Sequence, residues 1–187
     1  MKKKILLSVV ALALISISTF AQGTKLVSTK THIKFFSTTP AENIEANNTA
    51  TVSTINKENG EVVFSVPMQG FEFQKALMQK HFNSDKFLDS KQFPKAKLKG
   101  KITNITAIDF SKDGTYQADV EGELTLKGVT KQIKEKGTVT VKGNTVEVQS
   151  KFNITLADYG INFTDGKPSS NIAKTVEVTV NAEYQAE

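Results

Sequence analysis

The chain has 187 residues, 24 of them basic and 19 acidic, for a formal charge of +5, and it contains neither Cys nor Trp. Its length suits one domain, and the lack of Cys excludes disulfides, thiol nucleophiles and Cys-based metal sites. Every basic residue is Lys; without Arg the bidentate contacts on which phosphate and nucleic-acid recognition lean are missing, so no nucleic-acid partner is expected.

Lys2, Lys3 and Lys4 form a basic head, residues 5–17 an apolar run, and Thr19-Phe20-Ala21 a small-x-small cleavage site. The run is shorter than the roughly 20 apolar residues a spanning helix needs, and no charged stop-transfer flank follows. Residues 1–21 therefore read as a cleaved signal peptide and 22–187 as the mature domain. No Cys follows the run, which excludes an acylated lipoprotein, so the expected destination is the periplasm or the outside of a bacterial cell. Taking the leader's three lysines from the charge of +5 leaves +2. The stability of an exported chain without disulfides has to come from a packed core and sheet pairing.

Residues 27–36 give the first strand, with Ile33 and Phe35 on one face and His32, Lys34 and Phe36 on the other. Residues 44–56 read as one weaker, more polar strand. Asn59-Gly60, both tolerant of positive φ, predicts a hairpin into 61–68, where Val62, Phe64 and Val66 alternate and Pro67 lies near the end. Residues 71–89 break the pattern. Phe73, Leu77, Met78 and Phe82 recur as one stripe of a short helix that Asn83 and Ser84 end, followed by a loop over 85–94.

Strand returns over 95–104, with Lys95, Lys97, Lys99 and Lys101 wet and Ala96, Leu98, Gly100 and Ile102 dry. After an Asp113-Gly114 turn, 116–127 alternates most clearly: Tyr116, Ala118, Val120, Gly122, Leu124 and Leu126 face one way. Lys127-Gly128 turns into 129–142, anchored by Ile133, Val139 and Val141. Glu135 interrupts that inward face, which predicts an uncertain or bulged start. Gly143-Asn144 turns into 146–156, and 176–184 closes the set after a polar loop over 165–171.

Eight strands at near-even spacing predict an all-β fold, an eight-stranded antiparallel β-barrel with one short α-helix packed beside it. The rival is a two-sheet sandwich; closure is favoured because it removes exposed edges. Small inward residues (Ala96, Gly100, Ala118, Gly122 and Ser150) argue for room inside, although they would equally admit the helix or permit sharp coiling.

Catalysis finds little support. His32 and His81 are the only histidines and lie in different elements, and no nucleophile elbow or phosphate-binding glycine loop occurs. Asp158 before Tyr159-Gly160 reads as a turn cap, and Asp85 and Asp89 with Lys86 and Lys91 as a solvated loop. No catalytic residue, metal ligand or cofactor is expected. Phe is abundant instead: 12 residues, of which Phe71, Phe73, Phe82, Phe87 and Phe93 crowd the helix and its loop. With the adaptable Met68 and Met78 they suit an apolar tunnel, and burial at about 0.8 kcal/mol per CH₂ would hold a long hydrocarbon chain with few directed hydrogen bonds. Lys86, Lys91 and Lys95 near its rim would favour an anionic or polar head group.

Four segments resemble those of the YceI-like proteins. Residues 81–102, HFNSDKFLDSKQFPKAKLKGKI, resemble that family's helix-loop-strand signature, and 116–133, YQADVEGELTLKGVTKQI, its strand pair with an L-T-[IL]-K-G-V-T turn. Asp158-Tyr159-Gly160-Ile161 is similar to its D-[FY]-G-I motif and His32-Ile33-Lys34-Phe35 to its opening H-x-x-F. The segments occur in family order and span 24–185, whereas 38–49 is polar and lacks the Gly-x-Phe common after the first strand. The resemblance implies a lipocalin-like barrel with an elongated hydrophobic cavity for a polyisoprenoid, such as a prenyl quinone or prenyl pyrophosphate, and a periplasmic or secreted location.

The expected function is thus binding and carriage of an isoprenoid or other long-chain apolar lipid, with at most transient membrane contact. Phe73, Leu77, Met78 and Phe82 would cover one side of the tunnel. Leu98, Ile102, Val120, Leu124, Phe152 and Ile154 would form its wall, and Gly100, Gly122 and Ser150 would give it width. Two alternatives stay open: an enzyme acting on a prenyl head group, with His81 and Asp85 as base and orienter, and a filled structural or interaction domain.

Overall fold

Period-two alternation becomes strand almost residue for residue. The computed structural model describes residues 23–40, 42–161 and 173–185; the expected leader 1–21 and the polar loop 165–171 lie outside the described residues. The strands are β1 (Lys25–Thr38), β2 (Asn43–Asn48), β3 (Val52–Asn56), β4 (Glu61–Pro67), β5 (Phe71–Phe73), β6 (Lys95–Ile102), β7 (Gly114–Leu126), β8 (Val129–Lys142), β9 (Thr145–Thr155) and β10 (Thr175–Gln185), with one α-helix, α1 (Ala76–Asn83), among the described residues.

Neighbours run β10-β9-β8-β7-β6-β4-β3-β1-β2-β5, and β10 also pairs with β1, so the sheet closes on itself. β2 and β3 both pair with β1 and act as one broken strand; β5 is an extra edge on β2. The closed wall is therefore an eight-stranded antiparallel barrel, not a sandwich.

Three expectations need correction. Residues 44–56 do not form one strand, because Asn48 breaks it. Its side chain is fully buried; Nδ2 donates to the Pro67 carbonyl at 2.7 Å, while Oδ1 accepts from the Ala50 N–H at 2.9 Å and the Thr51 hydroxyl at 3.1 Å. A side chain bonding its own backbone two residues on competes with the ladder. Phe71–Phe73 belongs to no helix; it pairs with β2, Phe73 opposite Ala46. Nor is β8 bulged at Glu135: its register with β7 runs unbroken from Gly114↔Val141 to Leu126↔Val129. Lys127 and Gly128, at φ +48° and +76°, make the tight turn between them.

One end of the barrel is solid. Leu26, Ile55, Val139, Val141, Val146 and Tyr184, from β1, β3, β8, β9 and β10, are each no more than 1% exposed. Packing at this density is where apolar burial contributes most. The outer face is wet, and its lysines meet cross-strand acids: Lys134–Glu121 at 2.9 Å, Lys136–Asp119 at 3.3 Å, Lys151–Glu177 at 2.9 Å. Such exposed pairs contribute about 0–1 kcal/mol each and chiefly keep the surface soluble.

Within the solid end, the Tyr184 hydroxyl and Ser53 Oγ share a hydrogen bond of 2.6 Å. Burial pushes the phenol up to about 12, and the Ser53 bond offsets part of that rise. An unfolded tyrosine ionises near pH ~10. The stabilisation is complete below that pH and is lost as pH rises towards about 12, where the unfolded chain has released a proton that the folded one keeps. Denaturant titration of the wild type should show stability falling at up to about 1.4 kcal/mol per pH unit in this window. Tyr184→Phe should be about 1–3 kcal/mol less stable at neutral pH, with Ser53 unpaired, and should show a shallower alkaline loss; equal slopes in both proteins would refute the assignment.

Candidate functional site

Away from the solid end the inner face stops being filled. Along β9, Val146 is buried, whereas Val148, Ser150, Phe152 and Ile154 are each half-buried. Along β10, Tyr184 down to Val178 is buried on the inner face and Val176 is not. The space so left is a cavity of about 740 Å³, within the roughly 300–1,000 Å³ range of small-molecule sites. Its wall is apolar on every side, with Ile33, Phe64, Leu98, Val120, Phe152 and Val178 as examples from six different strands.

A Phe cluster caps the open end. Phe82 of α1 lies 5.5 Å from Phe35 of β1 and 5.5 Å from Phe71 of β5, centroid to centroid, and 4.9 Å from Phe73. Phe35 also meets Phe71 at 5.3 Å and Phe73 at 5.5 Å, and Phe87 from the following loop reaches Phe82 at 6.0 Å. Offset and edge-on pairs of this kind add about 0.5–1.5 kcal/mol each beyond their burial. This is how an eight-residue helix, marginal alone, is fixed over the mouth.

Polar liners of the mouth are Glu42, His81, Ser84 and Lys86; Lys91 and Lys95 are exposed and do not line it. His81 makes no hydrogen bond or ion pair with Asp85 among the described residues, because α1 stops at Asn83 and Ser84 leaves it in extended backbone at ψ 159°. The helical spacing that would pair them does not exist.

On the wall stands one further carboxylate. Glu135 lies between Ile133 and Gly137 on the inner face of β8 and lines the cavity. Burial raises its pKa above the ordinary carboxylate value. Beside it the ladder is interrupted: β8 pairs with β9 only from Lys142↔Thr145 to Gly137↔Ser150, and the Ser150 hydroxyl donates to the Lys136 carbonyl at 2.7 Å where pairing ends. A 3-10 turn, Leu156–Tyr159, packs against β8 there. Tyr159 is buried, and its phenol is pushed up by burial, then by the negative charges of Asp158 and Glu135.

Among the described residues, no group of three His, Cys, Asp or Glu is placed to hold a metal ion, and no helix is long and apolar enough to cross a membrane.

A family model, YceI-like domain, matches residues 19–184. The chain belongs to the YceI-like family. Solved structures share its fold. A polyisoprenoid-binding domain from Saccharophagus degradans superimposes with TM-score 0.74 at 17% identity, covering 88% of this chain and 99% of that one. Burkholderia cenocepacia BcnA follows at TM-score 0.69 and 15% identity, covering 82% and 95%. A Campylobacter jejuni YceI protein matches at TM-score 0.56 and 13% identity, covering 74% and 80%. No curated protein gives a match.

In this YceI-like barrel, Phe73, Met78, Phe82, Leu98, Ile102, Val120, Leu124, Ser150, Phe152 and Ile154 line the cavity, and three residues expected there do not. Leu77 is 63% exposed. The expected stripe began at Phe73, which lies on β5; on a helix starting at Ala76, Met78 and Phe82 share the inner face and Leu77 sits about 100° away. Gly100 and Gly122 face each other across β6 and β7 so closely that neither widens anything. A Cβ on Gly122 would lie 2.4 Å from the Gly100 Cα and 2.5 Å from the Lys99 carbonyl oxygen. These glycines permit a sharp coil in the wall.

Ile33, Phe35, Val178, Val180 and Glu135 line the site without having been picked out for it. The alternation of Ile33 and Phe35 carried the signal for those two; Phe71, expected with the other phenylalanines around the helix, lines the cavity from β5. Gly122→Ala should destabilise the barrel by about 1–3 kcal/mol through overpacking against β6, and Gly122→Leu should disrupt folding rather than simply fill the cavity. Urea denaturation of the Ala variant decides the point; an unchanged midpoint would place the coil elsewhere.

Proposed function

We propose that this protein binds and sequesters or carries an isoprenoid lipid, of the prenyl quinone or polyprenyl pyrophosphate class, in the periplasm or outside the cell and without catalysis. The observation that carries this reading is the blind apolar cavity of about 740 Å³, solid at one end and capped by phenylalanines at the other. Binding is desolvation: each methylene moved from water into such a space contributes about 0.8 kcal/mol, and no bond need form or break.

The description of the Saccharophagus degradans relative as polyisoprenoid-binding supports the ligand class. The basic head and apolar run of residues 2–17 support export. Loading would proceed at the Phe-capped mouth, where α1 and the loop after it move aside; Leu77, exposed on the outer face of α1, supports transient contact with a membrane. The enzyme alternative loses ground with the separation of His81 from Asp85.

Solvent extraction of protein purified from its native envelope, followed by mass spectrometry, should release an isoprenoid lipid in near-stoichiometric amount. Leu98→Trp places an indole in the cavity and, in a chain with no other Trp, reports its environment. The variant should fold and take up apolar dye several-fold more weakly than the wild type. A wild-type protein that yields no lipid and takes up no dye would overturn the carrier reading.

A further inference from the structure

Hydrocarbon gives a carboxylate nothing to bond to, and yet Glu135 faces the cavity from mid-strand. It shares the inner face of β8 with Ile133, Gly137 and Val139, and its partner on β7 is Val120. On its other side there is no ladder, because pairing with β9 has ended at Gly137 and Ser150. From the 3-10 turn the Tyr159 phenol lies close enough to feel the Glu135 charge, whereas Asp158 beside it is exposed and does not line the cavity. On its own strand Lys131 has the same facing four residues nearer the β7–β8 turn, but it is exposed and does not line the cavity. The remaining charged liners, Glu42, His81 and Lys86, belong to the mouth. Among the described residues Glu135 has no hydrogen-bond or ion-pair partner.

Resting on the carrier reading, we infer that Glu135 decides between its two head-group classes: the cavity takes a prenyl lipid whose polar end is an uncharged hydroxyl, as in a prenyl alcohol or a reduced quinone, and discriminates against the same chain ending in pyrophosphate. An ionised carboxylate can only accept hydrogen bonds, so a hydroxyl completes it. A guest that is hydrocarbon throughout strips its water and offers nothing back, which is costly for a charged group. An anionic head brings like charge into a shielded interior where no cation on the wall offsets it, and there the repulsion is far stronger than in water. Tyr159, whose phenol is pushed up in part by the Glu135 charge, is a neutral hydroxyl already in that neighbourhood.

Protein stripped of lipid is loaded with an apolar dye, and geranylgeraniol and geranylgeranyl pyrophosphate, which share one chain, are compared as displacers of the dye in wild type and Glu135→Gln. The alcohol should be held more tightly by the wild type, and the substitution should tighten the pyrophosphate relative to the alcohol by about tenfold, the equivalent of one pKa unit of charge coupling. A second measurement needs no variant: the ¹³C-detected titration of the Glu135 carboxyl should give a lower pKa with the alcohol bound than with a prenyl hydrocarbon bound, since a donor favours the ionised form. A ratio that Glu135→Gln leaves unchanged, or equal carboxyl titrations in the two complexes, would overturn the inference while the carrier reading stands. If neither lipid displaces the dye, both fall together.

Discussion

The ladder between β1 and β10 holds everything else in place. It joins the first strand of the chain to the last, Ile33 opposite Val180 and Phe35 opposite Val178, and turns an open sheet into a wall with an inside. Once the wall is closed, each strand's dry face has one destination, and the same residues serve two ends. Towards the Tyr184 end they meet and exclude solvent; towards the Phe82 end they face each other across a gap. Stability and capacity are thereby separated along the barrel axis, so that a guest need not be present for the domain to hold together.

Such a division explains how a chain with no Cys maintains a hollow interior. The empty half is supported by what surrounds it: the unbroken β7–β8 register, the paired lysines and acids of the outer surface, and the interlocked rings of Phe35, Phe71, Phe73 and Phe82 at the mouth. The last of these is both lid and anchor. It ties α1 to β1 and β5 chiefly through ring contacts, with the Phe73 N–H donating to Gln79 Oε1 at 3.4 Å, so most of what a shifting lid gives up is apolar contact.

How much of this the sequence carried depends on whether the cause was local. Alternation is local, and it placed seven of the wall strands and seven of the cavity liners, among them Leu98, Leu124 and Ile154. The break at Asn48 was only half legible: its bond to the Ala50 N–H is local, but the side chain is held in place by a bond to Pro67, nineteen residues on. β5 was not legible for the same reason: Phe71–Phe73 is strand by virtue of β2, and the helical spacing borrowed from it misplaced Leu77. Gly100 and Gly122 look like space in one dimension and prove to be contact in three. Glu135 was visible as an irregularity in its strand, but the backbone there is regular; what is unusual is where its side chain goes.

The short β8–β9 ladder has a mechanical consequence. Below Gly137 and Ser150 the wall is stitched by backbone hydrogen bonds; above them the two strands diverge and the Leu156–Tyr159 turn fills the seam with side chains. Sliding packed side chains apart sacrifices no backbone bond, so girth can change along this seam more cheaply than anywhere the lattice of amides and carbonyls is complete. The barrel behaves less like a rigid tube than like a cup with a slit rim, able to admit guests of different bulk while its base keeps its shape.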